Sequence, residues 1–155
     1  MNRKEKEEFI LQDAIAYLEE LNENDDPKWG RMTPQHMLEH LGMIFLISSN
    51  KVQAHSIADD QQKEYYENLI SGHLKFKQNT ASPALPKDPL PLRFQDLDKA
   101  KEACYKAIKG FGKYFEKNPD EKVEHPVFGE LNYDEWLYFH EIHLKHHLKQ
   151  FDLIK

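Results

Sequence analysis

The sequence predicts an all-α protein, a four-helix bundle with a long proline-rich crossover between its second and third helices. Three observations carry this. Four segments repeat apolar residues at helical spacing. No segment alternates apolar and polar residues as a half-buried strand does. About forty-five residues separate the second and third helical segments, and neither half alone has enough amphipathic helix to enclose a core. The 155 residues therefore read as one domain, 1–155, long enough to bury a core without staples.

The first segment, roughly 4 to 23, places Phe9, Ile10, Ala14, Tyr17, Leu18 and Leu21 on one stripe and ends in the turn-rich "NENDDPKWG". The second begins at "TPQH", where Thr33 suits the N-cap and Pro34 the first helical position. Its later part, "MIFLIS", is apolar on nearly every side, which predicts a buried helix. The third, about 96 to 117, spaces Leu97, Ala100, Cys104, Ala107, Phe111 and Tyr114 by threes and fours. Cys104 falls on that stripe and reads as a small buried hydrophobe. The fourth opens with "NYDE", a capping-box pattern of Asn132 and Glu135, and runs to about Phe151. In the crossover, "IADDQQKEYYENLISGHLKF" can form an extra helix, whereas "ASPALPKDPLPL" is expected to be extended. A long crossover lets the second and third helices run parallel.

Twenty-one Lys and Arg against 27 Asp and Glu give a net charge of −6. Lysines read as interleaved with acids along the helices, so no nucleic-acid partner is expected. One cysteine excludes a disulfide within the chain. The charged start "MNRKEKEEF" does not resemble a signal peptide, and no apolar run approaches the ~20 residues of a membrane span. The expectation is a cytoplasmic protein without a membrane partner.

The chemistry lies in "FHEIHLKHHLKQF", residues 139 to 151. At about 100° per residue, His140, His143 and His147 fall inside the apolar sector of the fourth helix with Trp136 and Leu144. His143 and His147 are one turn apart and can point at a common atom. A metal site needs a third ligand from elsewhere. The second helix offers His36 and His40, again one turn apart, with His40 deeper and His36 close to the N-cap. His140 can equally be a buried neutral ring bonded to a neighbour. His146 points away, towards the surface or the rim of a site. His55, His73 and His125 fall in connections and receive no role. The zinc-protease pattern fails because position 144 is leucine. Di-iron carboxylate bundles need Glu-x-x-His, which is absent, and zinc fingers need a second cysteine. A mononuclear all-histidine site is what remains.

The segments "TPQHMLEHLG" and "HPVFGELNYDEWLYFHEIHLKHHLKQFDLI" resemble the DinB/YfiT-like superfamily, and a branch of it ending HPxFG…W…HxxHHLxQF. The resemblance covers most of the chain outside the first helix and the crossover. It implies an up-down-down-up bundle, a three-histidine site for zinc or nickel, and a homodimer. The family's helix-two ligand falls on His40, and its HxxxH pair on His143 and His147, three residues before Gln150. Gln150 would then orient a ligand ring, with His36 and His140 beside the site. The family's common "HRGQ" reads "HLKQ" here, and His36 is an additional imidazole. Characterised relatives use the metal to activate a low-molecular-weight thiol, which implies a metal-dependent transferase or hydrolase acting on a small molecule. Two other readings stand beside it: a metal-free dimerisation or interaction module whose histidines are relics, and a metal sensor or buffer.

Overall fold

The computed structural model describes residues 1–78, 83 and 88–155. It is mostly helical. The first helical segment is α1 (Arg3–Glu8) and α2 (Ala14–Glu19), joined by a π-helical turn, Phe9–Asp13. Asn2 and Glu5 form a capping box at its start. The wider π turn accommodates one extra residue, and Phe9 and Ile10 both face the core. Tyr17, expected on the buried stripe, is 38% exposed. Helix α2 ends earlier than the apolar pattern does, because buried Lys101 donates to the carbonyls of Glu19 and Leu21.

Helix α3 (Pro34–Ser48) starts as its sequence predicts: Thr33 accepts from the His36 amide, and Pro34 occupies the first turn. Met37, Leu38, Leu41, Ile44 and Phe45 are buried. The optional crossover helix exists as α4 (Asp59–Ile70). Of the extended path expected for residues 81–92, positions 81, 82 and 84–87 lie outside the described residues, and 89–92 have no regular secondary structure. Helix α5 (Leu97–Lys117) is capped by Asp96 and buries Ala100, Cys104, Ala107 and Phe111, with Leu97 and Tyr114 at the edge.

A small antiparallel hairpin corrects the expectation of no sheet. Strands β1 (Val123–His125) and β2 (Gly129–Leu131) pair Val123 with Leu131 and His125 with Gly129. Three residues are too few to show alternation, so the strands have no readable period. Their turn is held by His125, whose Nδ1 accepts from the amides of Val127 (3.0 Å) and Phe128 (3.3 Å). Gly129 takes the left-handed φ of +79° that follows. Helix α6 (Tyr133–Gln150) then begins with the Asn132–Glu135 capping box.

Buried apolar residues from the N-terminal helices, α3, α5, the hairpin and α6 form one cluster. Contacts between α3 and α5 advance together along both chains: Glu39 with Arg93 and Phe94 just before α5, Gly42 with Cys104, and Phe45 with Phe111. Between α3 and α6 they run oppositely, His40 meeting His143 and His147 while Ser48 meets His140. Glu39, a buried carboxylate, accepts from the amides of Arg93 (2.6 Å) and Phe94 (3.3 Å) and ties the end of the crossover to α3.

Gly42 sets the α3–α5 separation: a Cβ there would stand 3.5 Å from the Cys104 Cα. Alanine therefore fits, but a larger side chain must part the helices. Gly42→Leu should cost about 1–3 kcal/mol in urea unfolding, the range for overpacking, while Gly42→Ala stays near wild type. Equal urea midpoints for all three would show that the close approach is unimportant.

Candidate metal centre

His143 and His147 stand one turn apart on the buried face of α6, and His40 reaches them from α3. The His40 Nε2 is 2.9 Å from the His143 Nε2, which is 3.1 Å from the His147 Nε2. One ligand atom from each ring lies within 4.8 Å of the others, so the three could hold a metal ion. An ion bound tetrahedrally at 2.0–2.1 Å would separate its nitrogen ligands by about 3.3 Å. Two of the three separations are thus within a few tenths of an ångström of that value.

Gln150 decides the His147 tautomer. Its Nε2 donates to the Trp29 carbonyl at 3.1 Å, which turns its Oε1 towards the His147 Nδ1 at 2.8 Å. A carbonyl only accepts, so the amide orientation is set, the Nδ1 carries the proton, and the Nε2 lone pair faces the cluster. The backbone carbonyl of Gln150 accepts from the Lys28 amide at 2.7 Å. Gly30, at φ +79°, leaves room for the amide, since a Cβ would come within 3.1 Å of the Gln150 Nε2. The 28–30 turn is thereby clamped onto the end of α6.

All three rings are held neutral. Burial lowers the His40 pKa to about 4, with a smaller contribution from His146. Burial also pushes His143 and His147 well below the usual imidazole value, and their neighbouring rings push further. A neutral imidazole is the form that ligates a metal. The His143 ring stacks on Phe139, and its Nδ1 is buried with no partner among the described residues.

The other histidines divide by environment. His36 is engaged at the α3 cap, its Nδ1 accepting from the Thr33 amide at 3.2 Å, and it is not part of the cluster. His140 is fully buried, stacked 3.8 Å from Phe45. Its Nε2 lies 2.9 Å from the Ser48 Oγ, whose proton goes to the Phe45 carbonyl, so the ring donates and is not a third ligand from α6. His146 stands at the rim between Trp29 and Phe76. His55 and His73 are exposed. His125, assigned no role from sequence, is a structural residue of the hairpin turn. Sequence reasoning also missed Trp29 and Phe76: each is a lone aromatic in an irregular connection, and no periodicity places them beside the histidines.

The fold and site define a class, an α-helical protein with a buried three-histidine cluster between two helices. Residues 10–153 match the family model described as Protein of unknown function (DUF1569), and the chain belongs to that family. No curated protein and no solved structure matches it. Among the described residues, no helix is long and apolar enough to cross a membrane.

Two outcomes follow from these environments. A histidine whose folded pKa is depressed stabilises the protein above its unfolded pKa, and that stability is lost as pH falls towards the folded value. His125, lowered to about 3 by burial, alone implies a loss of about 2 kcal/mol between pH 7 and pH 5, given an unfolded value near 6.5. With chelator present, the urea midpoint should fall steeply over that interval, and a flat midpoint would contradict the buried neutral rings. Gln150→Ala should preserve helix content, and any zinc added as a probe of the cluster should bind roughly 10–100-fold more weakly than to wild type, as loss of a ring-orienting partner implies. Titration with a competing chelator measures it; unchanged affinity would mean that Gln150 does not set the tautomer.

Proposed function

We propose that the protein is a metal-dependent enzyme acting on a small molecule, with His40, His143 and His147 holding one divalent ion, zinc or nickel. The observation that carries this is the convergence of three neutral Nε2 atoms from two helices. One of them is aimed by a Gln150 hydrogen bond that leaves its lone pair towards the other two. Three protein ligands leave a coordination position open, which is the arrangement of a catalytic rather than a structural site. When bound there, such an ion supplies Lewis acidity to a small-molecule ligand, for which a low-molecular-weight thiol is suited. His40 is the partly exposed ring of the three, so the approach lies on its side, beside Trp29, Phe76 and His146. These aromatic faces would exclude water from one flank of the ligand.

The finer assignment to a DinB/YfiT-like, up-down-down-up bundle belongs to the same proposal. Support comes from the sense of the interhelical contacts. The N-terminal helices advance together with α6, Arg3 meeting Asp134 and Phe9 meeting Lys145, and run against α5, Leu11 meeting Gly112 and Glu19 meeting Tyr105. A homodimer is proposed on the family resemblance, and a cytoplasmic location on the single cysteine.

One observation favours the metal-free interaction module: separations of 2.9 and 3.1 Å also suit imidazoles that share a proton among themselves. The metal content of protein purified without a histidine tag decides between them. The expected result is about one zinc or nickel per chain in wild type and none in His143→Ala or His147→Ala, with helical circular dichroism nearly unchanged. Absence of zinc, nickel, manganese and iron from wild type, even after incubation with each, would overturn the metalloenzyme reading.

A further inference from the structure

Away from the histidines, α5 carries a second feature, a row of exposed lysines beside an open cleft. From residue 103 to 115 the helix has no acidic residue, unlike the mixed charges elsewhere. Lys106, Lys109 and Lys113 follow one another at steps of three and four and line one face of a cleft of about 500 Å³. Like charges so spaced repel and destabilise a helix when nothing lies between them. None of the three is paired with a carboxylate among the described residues.

A fourth lysine arrives from another element. Helix α3 ends in a Schellman turn: Asn50 adopts a left-handed φ of 58°, its amide donates to the Ile47 carbonyl, and the Lys51 amide donates to that of Leu46. This directs Lys51 onto α5, where its Nζ stands 3.0 Å from the position a Cβ would take at Gly110. A Cβ at 110 would make that ammonium give by a few tenths of an ångström. Tyr105, tied through its hydroxyl to Glu19 at 2.6 Å, supplies an apolar wall, and Glu102 closes one end.

We propose that this cleft binds a small polyphosphorylated anion of the diphosphate class. The row from Lys106 to Lys113 extends about 10 Å along the helix, more than a single phosphate can span. The apolar wall beside the ammonium groups leaves a place for an organic group esterified to the diphosphate. The shared chemistry is the diphosphate itself, either free or as such an ester.

Calorimetric titration of metal-free protein in EDTA, at fixed ionic strength, tests the assignment. Inorganic pyrophosphate should bind at least about tenfold more tightly than sulfate. Lys109→Gln and Lys113→Gln should each weaken it roughly tenfold, the effect of losing one charge-assisted contact. Gly110→Ala improves helix propensity, so it should fold at least as well, and by shifting the Lys51 ammonium it should weaken pyrophosphate less than the lysine variants do. His147→Ala should bind like wild type, which separates this site from the histidine cluster. Adenosine diphosphate as a second ligand distinguishes the sources: tighter binding than pyrophosphate assigns an ester, weaker binding the free anion. The proposal is overturned if pyrophosphate binds no better than sulfate, if the lysine and glycine variants bind it unchanged, or if a DNA duplex displaces it from the same lysines.

Discussion

Three imidazole nitrogens lie within 4.8 Å of one another between α3 and α6, and burial there favours uncharged rings that do not repel one another. The surrounding structure serves it. Glu39 pins the crossover's end to α3 one residue before His40, Gly42 lets α5 close against α3 two residues after it, and Gln150 fastens the 28–30 turn over the end of α6. His40 is thereby held opposite the α6 pair by contacts that do not involve the histidines themselves. The cluster sits between rigid helices rather than on loops, which suits a site whose ligand atoms need placement to within tenths of an ångström.

The polar groups of this core are satisfied in an uneven way. His147 has a partner for each nitrogen, whereas His143, His140 and His125 each bury one nitrogen without a partner among the described residues. Stacking offsets part of that cost: His140 lies flat against Phe45, and His125 packs between Phe139 and Trp136. A leucine at 125 would spare the unpartnered nitrogen but leave the Val127 and Phe128 amides without their acceptor. The ring at 125 is accounted for by doing something leucine cannot, accepting two turn amides.

Charge is distributed in two patterns. Most helices mix acids and bases, and four of the six ion pairs among the described residues are exposed ones of the kind that contribute little to stability. The second half of α5 departs from this, with unpaired lysines on its outer face and Phe111 and Phe115 buried on the other. One helix thus takes part in the core that seats the histidine cluster and in a separate cationic cleft.

The sequence by itself determined the starts of α3 and α6, because Thr33–Pro34 and Asn132–Glu135 act through local hydrogen bonds within one turn. It also made the choice of His40, His143 and His147 legible, since helical spacing puts residues one turn apart on a common face and buried positions follow the apolar stripe. The hairpin was not legible: its strands are three residues long, and its key residue, His125, acts through a turn that leaves no periodic trace. Nor was the exclusion of His36 and His140. Both lie at helical spacing from a cluster member, and only the folded chain shows that one is bonded at the Thr33 cap and the other to Ser48. Trp29, Phe76 and Lys51 reached their places by the paths of connecting segments. Tertiary structure alone decides such positions, because contacts between distant parts of a chain follow from packing and not from the spacing of residues along it.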